Sequence, residues 1–218
     1  MTAAADLSLA QVRLALAADI AAGAAFDGWS MAAVADAADL AGVDRHVAAL
    51  AFADGPMAMI AAWIAQIDAA MAREWPAERL ASLSVRERIS QLLRFRLTAL
   101  AGHEESLRRA LAIMAMPQNL TKTLRLSWAS ADAMWALAGD RAADFNHYTK
   151  RTTLAAIYAA TLAVFVDDTS AGKADTQAFL DRRIAGVMRF EKAKAQFFRK
   201  DSQHFSPVRL LGRLRYPA

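Results

Sequence analysis

The amino-acid sequence predicts an all-α protein of about nine helices. Alanine, the residue with the highest intrinsic helix propensity, makes up about a quarter of the 218 residues. Glycine and proline number only 9 and 5, and no stretch alternates apolar and polar residues as a half-buried strand does. Hydrophobic residues make up 56% of the chain, which excludes a disordered or collagen-like protein.

Capping residues and turn signals delimit four helices in the first third of the chain. Ser30 is a favourable N-cap for the second helix, and Gly42 is a favourable stop for it. Pro56 suits the first turn of the fourth helix, which Trp75 and Pro76 end. The predicted helices occupy about residues 7–25, 31–42, 44–52 and 56–75.

Five more helices are predicted in the remainder, at about residues 84–102, 104–116, 117–139, 146–166 and 173–198. The first begins with a capping box, in which Ser84 and Glu87 bond each other's backbone amides. The longest apolar run spans residues 154–166, which is shorter than the roughly 20 residues that a membrane span needs. We therefore expect this run to form a buried core helix.

Charge is distributed unevenly along the chain. Residues 1–75 carry a net charge of −6, and the remaining residues carry +10, so the total is +4. An acidic N-terminal third repels phosphate, whereas a basic C-terminal part attracts it. The predicted divisions are a three-helix part at 1–53, a helical ligand-binding domain at 54–198 and a basic amphipathic tail at 199–218.

The C-terminal segment mixes apolar and cationic side chains, a composition that suits an anionic membrane surface. The predicted membrane contacts are Phe197, Phe198, Arg199, Leu210, Leu211, Arg213 and Leu214. Packing of this basic segment on its own domain or on a second subunit is an equally open alternative.

Motifs of catalysis and metal binding are absent from the sequence. Without cysteine there is no thiolate metal site, iron–sulfur cluster or cysteine nucleophile. The four histidines do not occur in a His-Glu-x-x-His or Glu-x-x-His frame, and no phosphate-binding or dinucleotide-binding loop is present. The sequence therefore predicts no enzyme, no metal and no cofactor. The lack of cysteine and of a signal peptide favours the cytoplasm. With membrane contact by the basic C-terminal segment, the predicted location is peripheral, at the inner face of the cytoplasmic membrane.

The arrangement of the first 75 residues resembles the N-terminal domain of TetR-family regulators. Asp27-Gly28-Trp29-Ser30 precedes a short helix, and Ala41-Gly42-Val43-Asp44 forms the tight turn that a helix-turn-helix requires. The helix that would read DNA offers only Arg45 and His46 for contacts with nucleic acid. We therefore expect the fold to be retained without nucleic-acid binding.

The C-terminal half resembles the coenzyme Q biosynthesis accessory family, which consists of TetR-like lipid-binding proteins. The resemblance rests on residues 124–140, on the Tyr-Thr-Lys-Arg run at 148–151 that enters an apolar helix, and on Phe-Leu-Asp-Arg-Arg at 179–183. It implies a homodimer that contacts membranes and binds an isoprenoid lipid or ubiquinone precursor. It also implies that the protein presents this lipid to a membrane-associated demethoxyubiquinone hydroxylase without catalysing a reaction itself.

The family's partner-binding surface centres on an aromatic–tyrosine pair followed by basic residues. This pair corresponds here to His147 and Tyr148, with Asp144 before it and Arg151 after it. His147 stands where many members carry tryptophan, and Gln177 stands where an aromatic residue is common.

A wide apolar helix face is the candidate lipid-binding surface. It consists of Leu154, Ile157, Tyr158, Leu162, Phe165 and Val166, with Trp128, Met134 and Trp135 opposite. Ordinary core packing remains the alternative for each of these residues. The alternative function is a TetR-type transcriptional regulator that binds DNA and a small apolar effector.

Overall fold

The computed structural model describes residues 7–140 and 145–187, and within them the chain forms ten α-helices and no β-strand. The predicted all-α class is confirmed. The helices are α1 (Leu9–Asp27), α2 (Met31–Ala41), α3 (Arg45–Ala51), α4 (Pro56–Glu74), α5 (Ala77–Leu80), α6 (Val85–Leu100), α7 (Glu104–Met114), α8 (Leu120–Leu137), α9 (Phe145–Phe165) and α10 (174–187, up to the last described residue). Short 3-10 turns precede α8 and α10.

Local capping signals account for most of these boundaries. Ser30 accepts a hydrogen bond from the Ala33 amide at the start of α2, and the capping box between Ser84 and Glu87 starts α6. Gly42 ends α2 in the left-handed region at φ 65°, which an L-residue rarely adopts. The sequence did not predict α5, because four residues after Pro76 are too short to show helical periodicity.

The N-terminal part is held by the first helix, which packs against α2, α3 and α4. Val12, Leu16 and Ile20 lie on one face of α1 and are fully buried. By length and hydropathy alone α1 is long and apolar enough to cross a membrane, a composition that core helices share. In this fold, that apolar face of α1 forms the centre of the N-terminal core.

Two buried hydrogen bonds join the N-terminal part to the rest of the fold. The indole Nε1 of Trp29 donates to the carbonyl of Ser106 at 3.0 Å, and the Ser106 hydroxyl donates to the carbonyl of Ala21 at 2.6 Å. One continuous cluster of buried hydrophobic residues extends from α1 to Ile184 on α10. This hydrophobic core is continuous across residue 53. The predicted division between an N-terminal part and a C-terminal domain at that residue therefore stays a prediction.

The C-terminal helices surround α4, which packs against α6, α7 and α8. α8 in turn packs against α9, and α9 also contacts α6. This arrangement places five helices around one interior space, which contains the candidate site.

Asp168 joins the end of α9 to the start of α10. Its carboxylate accepts hydrogen bonds from the amide of Ser170 at 2.8 Å and from the amide and hydroxyl of Thr176 at 2.8 and 2.6 Å. The hydrogen bonds from the Ser170 and Thr176 side chains hold the pKa of Asp168 well below the ordinary value of 3.8. The ionised form of Asp168 is therefore the one that holds this turn.

Replacing Asp168 with asparagine is expected to lower the melting temperature in a pH-dependent manner. A carboxylate with a lowered pKa in the folded state stabilises the fold above its unfolded-state pKa, and this stabilisation is lost as the pH falls. The difference in melting temperature from the wild type should be constant at neutral pH and narrow as the pH falls below 3.8. Thermal unfolding between pH 3 and pH 7 measures it. Asp175→Asn controls for the loss of one nearby exposed charge, and an equal pH profile in both variants would contradict this account.

Candidate functional site

An apolar cavity of about 260 Å³ lies between α4, α6, α7, α8 and α9. Its wall includes Trp63 and Ile67 from α4, Ala110 from α7, Met134 from α8, and Tyr158 and Leu162 from α9. Three of the sequence-predicted lipid-binding residues, Met134, Tyr158 and Leu162, therefore line one cavity. We refer to it as the lipid cavity, a name taken from that prediction.

The lipid cavity reaches the surface at the connection between α7 and α8. Ala115 and Leu120 line this end of the cavity and are exposed to solvent, Leu120 to 48%. Leu124, one helical turn further along α8, is 69% exposed. The mouth of the cavity is therefore bordered by apolar side chains in contact with water.

Arg96 and Ser130 belong to the polar part of the cavity wall, and Asp68 binds both of them. Arg96 of α6 is 2% exposed and pairs with Asp68 of α4. Its Nη2 donates to the Ser130 hydroxyl at 3.2 Å, and that hydroxyl donates to Asp68 Oδ2 at 3.2 Å. The Tyr158 ring lies against the guanidinium, with its centroid 4.8 Å from Cζ. Burial of an arginine requires such partners, because an unpaired buried charge is strongly unfavourable.

Sequence reasoning did not identify Arg96 or Asp68 as part of the site. One signal was available: Arg96 lies four residues after Leu92 and four before Leu100, on the apolar face of α6. A cation on a buried helix face requires a partner from another helix. The sequence does not show which helix supplies it.

A second, smaller cavity of about 180 Å³ is lined by residues of α6, α8, α9 and α10. Its lining includes Trp135, Leu154 and Ile157, which the sequence analysis predicted to bind lipid. Neighbouring residues in an α-helix point about 100° apart, so Ile157 and Tyr158 line different cavities. The predicted face thus divides between two spaces.

Three predicted lipid-binding residues line neither of these two cavities. Phe165 is packed in the core, where Lys173 Nζ lies 4.7 Å from its ring centroid. Val166 follows the end of α9, where its carbonyl accepts a hydrogen bond from Arg108 at 2.7 Å. Trp128 turns outward to the surface described next.

An aromatic patch on the surface consists of Trp128, His147 and Tyr148. The ring centroid of Trp128 lies 5.9 Å from that of Tyr148 and 6.3 Å from that of His147. The rings of His147 and Tyr148 meet edge to face at 5.2 Å. Tyr148 is 61% exposed, so the aromatic patch offers a surface to another molecule.

Arg151 lies beneath the aromatic patch and is only 3% exposed. Its Nε donates to Asp132 at 2.5 Å, and its Nη1 donates to Asp140 at 3.1 Å and to the carbonyl of His147 at 3.2 Å. The sequence predicted that Arg151 lies on the partner-binding surface, but in the structure its side chain is buried. Asp132 on α8 and Asp140 in the following turn bind the guanidinium and hold it in the interior. Arg151 supports the backbone of the patch.

The described residues do not include the other predicted contact residues. Asp144 and the predicted membrane contacts Phe197, Phe198, Arg199, Leu210, Leu211, Arg213 and Leu214 lie outside the described residues. Within residues 7–140 and 145–187, no three side chains of histidine, aspartate or glutamate form a group that could hold a metal ion.

The helix in the DNA-reading position of the N-terminal part is α3. Its arginine, Arg45, is bound to Asp39 by two hydrogen bonds, of which the one from Nε is 2.8 Å long. Val47 and Leu50 are 37% and 62% exposed on the same helix. This helix therefore presents apolar side chains and a neutralised cation.

Residues 120–191 match the family model described as COQ9. The chain is 36% identical over 168 residues to "Ubiquinone biosynthesis protein COQ9, mitochondrial" of Rattus norvegicus, which covers 74% of this chain and 54% of that protein. It is 34% identical over 168 residues to the protein of the same name from Homo sapiens, covering 74% and 52%. The chain is therefore similar to COQ9 proteins, most specifically over residues 120–191.

The COQ9 family match confirms the resemblance drawn from residues 124–194. The matched segment contains α8, α9 and the described part of α10, and therefore the aromatic patch and one wall of the lipid cavity. The chain spans about half the length of the curated COQ9 relatives that it matches.

Among solved structures, the chain is similar to a TetR transcriptional regulator from Nitrosomonas europaea ATCC 19718. The TM-score is 0.62 at 23% identity, with 79% of this chain and 95% of that chain covered. This likeness confirms the TetR-like fold and, at such identity, shows the fold alone.

The predicted cytoplasmic location is wrong by comparison with the curated COQ9 relatives, which are named as mitochondrial proteins. That prediction rested on the lack of cysteine and on the composition of the first residues. A cysteine-free composition indicates a reducing environment at most and does not distinguish one such compartment from another.

Proposed function

We propose that this protein is a non-catalytic accessory protein of ubiquinone biosynthesis. It binds an isoprenoid lipid or ubiquinone precursor in the lipid cavity and presents it to a membrane-associated demethoxyubiquinone hydroxylase. Similarity to COQ9 proteins, which are named for ubiquinone biosynthesis, supports the pathway. The observation that carries the lipid-binding part is the apolar cavity between α4 and α9.

The size of the lipid cavity indicates how much of a lipid it holds. Its volume of about 260 Å³ is just below the range of roughly 300–1,000 Å³ that is usual for sites enclosing a small molecule. Transfer of apolar surface out of water contributes about 25 cal/mol per Å². The cavity therefore encloses one end of a lipid, and the remainder leaves through the mouth at Leu120.

A stripe of apolar side chains, with Leu120 and Leu124 exposed and Trp128 half-buried, continues from that mouth to the aromatic patch. Leu120, Leu124 and Trp128 are spaced four residues apart on α8 and so share one face of the helix. The stripe covers about 12 Å at a rise of 1.5 Å per residue. A contiguous exposed apolar surface marks a site of contact with a protein or a membrane. A lipid tail leaving the cavity and a partner on the patch would therefore meet on one surface.

The aromatic patch supports the docking of the hydroxylase. Tryptophan and tyrosine are enriched among the residues that contribute most to protein interfaces. Tyr148 is exposed, and Trp128 and His147 pack around it. We extend the proposal to a homodimer that contacts the membrane peripherally, as the resemblance implies.

The features of α3 argue against a regulator that binds DNA. Affinity for duplex DNA depends on cations that meet phosphates, and Arg45 is already paired with Asp39. A gel-shift titration with genomic duplex fragments should give no salt-sensitive complex. A salt-sensitive complex with a palindromic fragment would favour the regulator instead.

Replacing Ala110 with phenylalanine is expected to abolish lipid loading. Ala110 is 1% exposed and lines the lipid cavity, so a phenyl ring there occupies the space of the ligand. Organic extraction of the purified protein and mass spectrometry should recover isoprenoid from the wild type and about tenfold less, or none, from Ala110→Phe.

The matched control is Ala112→Phe, because Ala112 lies two residues away on α7 and is exposed. This variant should load as the wild type does. Failure to recover any lipid from the wild type would refute the proposal, as would equal loading of the wild type and Ala110→Phe.

A further inference from the structure

Exposed apolar side chains surround the mouth of the lipid cavity. Met116 lies on the connection between α7 and α8, and Leu120 and Leu124 follow on the first two turns of α8. These three side chains are 42%, 48% and 69% exposed. Large apolar side chains grouped on one exposed surface mark a contact with another molecule.

The same part of the chain carries cations and no carboxylate. The sequence contains no aspartate or glutamate between Glu105 and Asp132. Two of its cations, Lys122 and Arg125, are exposed, and neither forms an ion pair with a residue that the structure describes. An exposed positive charge without a partner attracts an anionic surface. We refer to these two cations and the three apolar side chains around the mouth as the mouth surface.

The residues of α8 that belong to the mouth surface share the outward half of the helix. Successive residues of an α-helix are rotated by about 100°, so Leu120 and Leu124 lie about 40° apart. Arg125 and Lys122 follow further round on the same side, whereas Thr123 points inward and lines the lipid cavity. The outward half of α8 is therefore apolar along one edge and cationic along the other. This pattern is typical of a helix that lies in an anionic membrane interface.

The two cations of the mouth surface also converge on one open groove. Lys122 and Arg125 line this groove, which lies between α1, α4 and α8 and has a volume of about 540 Å³. Asp54 is the one acidic residue among the described residues that line it, and Arg13 lies 3.9 Å from that carboxylate. Leu126 lines both the groove and the lipid cavity, so the two spaces are neighbours. An anionic group in the groove would therefore lie beside the cavity.

We propose that the mouth surface docks on an anionic phospholipid bilayer. Lys122 and Arg125 bind the lipid phosphates, and the apolar side chains enter the membrane interface. The proposal rests on the proposed function, in which the cavity encloses only one end of a lipid. Hydrocarbon that leaves the mouth is stable in an apolar medium and not in water. A bilayer against the mouth supplies that medium, which favours a membrane over a protein as the occupant of this surface.

This orientation also agrees with presentation of the lipid to a membrane-associated partner. The aromatic patch begins one turn beyond Leu124, at Trp128. A partner docked on the patch would therefore border the same bilayer. The lipid would pass between the membrane and the cavity without crossing water.

A single fluorescent probe tests the orientation, because the chain contains no cysteine and one introduced cysteine is labelled alone. Thr121→Cys places the probe on the first turn of α8, where Thr121 is exposed. Val85→Cys is the reference, since Val85 is 52% exposed at the start of α6. That helix meets the far end of α8, where Arg88 donates to the carbonyl of Ala138 at 2.9 Å. The vesicles contain equal parts of phosphatidylcholine and phosphatidylglycerol, with brominated acyl chains that quench a probe in contact with them.

The vesicles should quench the probe at position 121 and leave the probe at position 85 unquenched. In the Thr121→Cys protein, Lys122→Gln/Arg125→Gln should raise the lipid concentration at half-maximal quenching by about tenfold or more, since each cation near an anionic surface strengthens binding. Arg73→Gln/Arg86→Gln removes the same charge from exposed positions on α4 and α6 and should leave this concentration unchanged. Equal melting temperatures verify that both variants are folded.

An unquenched probe at position 121 would overturn the proposal, whether or not the protein sediments with the vesicles. Equal quenching by vesicles of brominated phosphatidylcholine alone would also overturn it, because the cations would then contribute nothing. A probe that responds to the purified hydroxylase and not to vesicles would assign the mouth surface to a protein. Recovery of lipid by organic extraction does not depend on docking, so failure of this proposal is distinguishable from failure of the proposed lipid binding.

Discussion

Replacing Arg151 with methionine is expected to lower the free energy of unfolding by about 2–3 kcal/mol. The variant removes the guanidinium that binds Asp140 at 3.1 Å, while Lys150 Nζ keeps its contact with the same carboxylate at 2.7 Å. It also removes the 2.5 Å contact with Asp132, which joins α9 to α8. Hydrogen bonds between charged groups contribute more when the side chain is buried, as Arg151 is, than when both partners are exposed. Urea denaturation of the purified protein measures the change.

Arg94→Met is the matched control for this prediction. Arg94 also forms an ion pair between helices, with Asp181 at 2.7 Å, but the two side chains are 41% and 55% exposed. Exposed pairs of this kind contribute at most about 1 kcal/mol. If both variants lose similarly little stability, Arg151 does not hold the base of the aromatic patch as the structure indicates.

Replacing Tyr148 with alanine is expected to weaken binding of the proposed partner, the demethoxyubiquinone hydroxylase, by about thirtyfold, equivalent to about 2 kcal/mol at a central interface residue. The melting temperature should hardly change, because Tyr148 is 61% exposed and contributes little to the core. Binding of the hydroxylase of the same organism to the immobilised wild-type or variant protein gives the dissociation constants. Complementation of a quinone-deficient strain tests the consequence in the cell.

Phe26→Ala provides the comparison. Phe26 is 84% exposed near the end of α1, and its removal deletes an exposed aromatic ring outside the patch. Its effect on hydroxylase binding should be less than about twofold, within the range of near-neutral interface positions. Equal affinity of wild type and Tyr148→Ala would place the docking site elsewhere on the molecule.

The fold was largely predictable because its signals are local. Ser30 and Ser84 sit at helix starts, and Gly42 ends a helix, so the sequence itself marks these boundaries. The four-residue helix at Ala77–Leu80 carries no such periodic signal and was missed. Local propensity and capping thus accounted for the fold class and the helix order.

The site was less predictable because it depends on which helices pack against each other in the folded protein. The apolar residues of α9 were recognisable as a set, but only tertiary packing divides them between two cavities. The burial of Arg96 and Arg151 likewise depends on carboxylates from other helices, Asp68 and Asp132. Such pairings connect residues distant in sequence, and periodicity along one helix does not encode them.

One face of α8 lines the interior cavity, and another face of the same helix lies at the protein surface. Ser130 and Met134 line the lipid cavity, whereas Trp128 belongs to the aromatic patch. A ligand that displaces this helix on entry therefore displaces Trp128 as well. Thermodynamic reciprocity then requires that a protein docked on Trp128 change the ligand's affinity by the same factor by which the ligand changes the docking affinity. Under the proposed function, a docked partner protein would therefore distinguish the lipid-bound protein from the empty one.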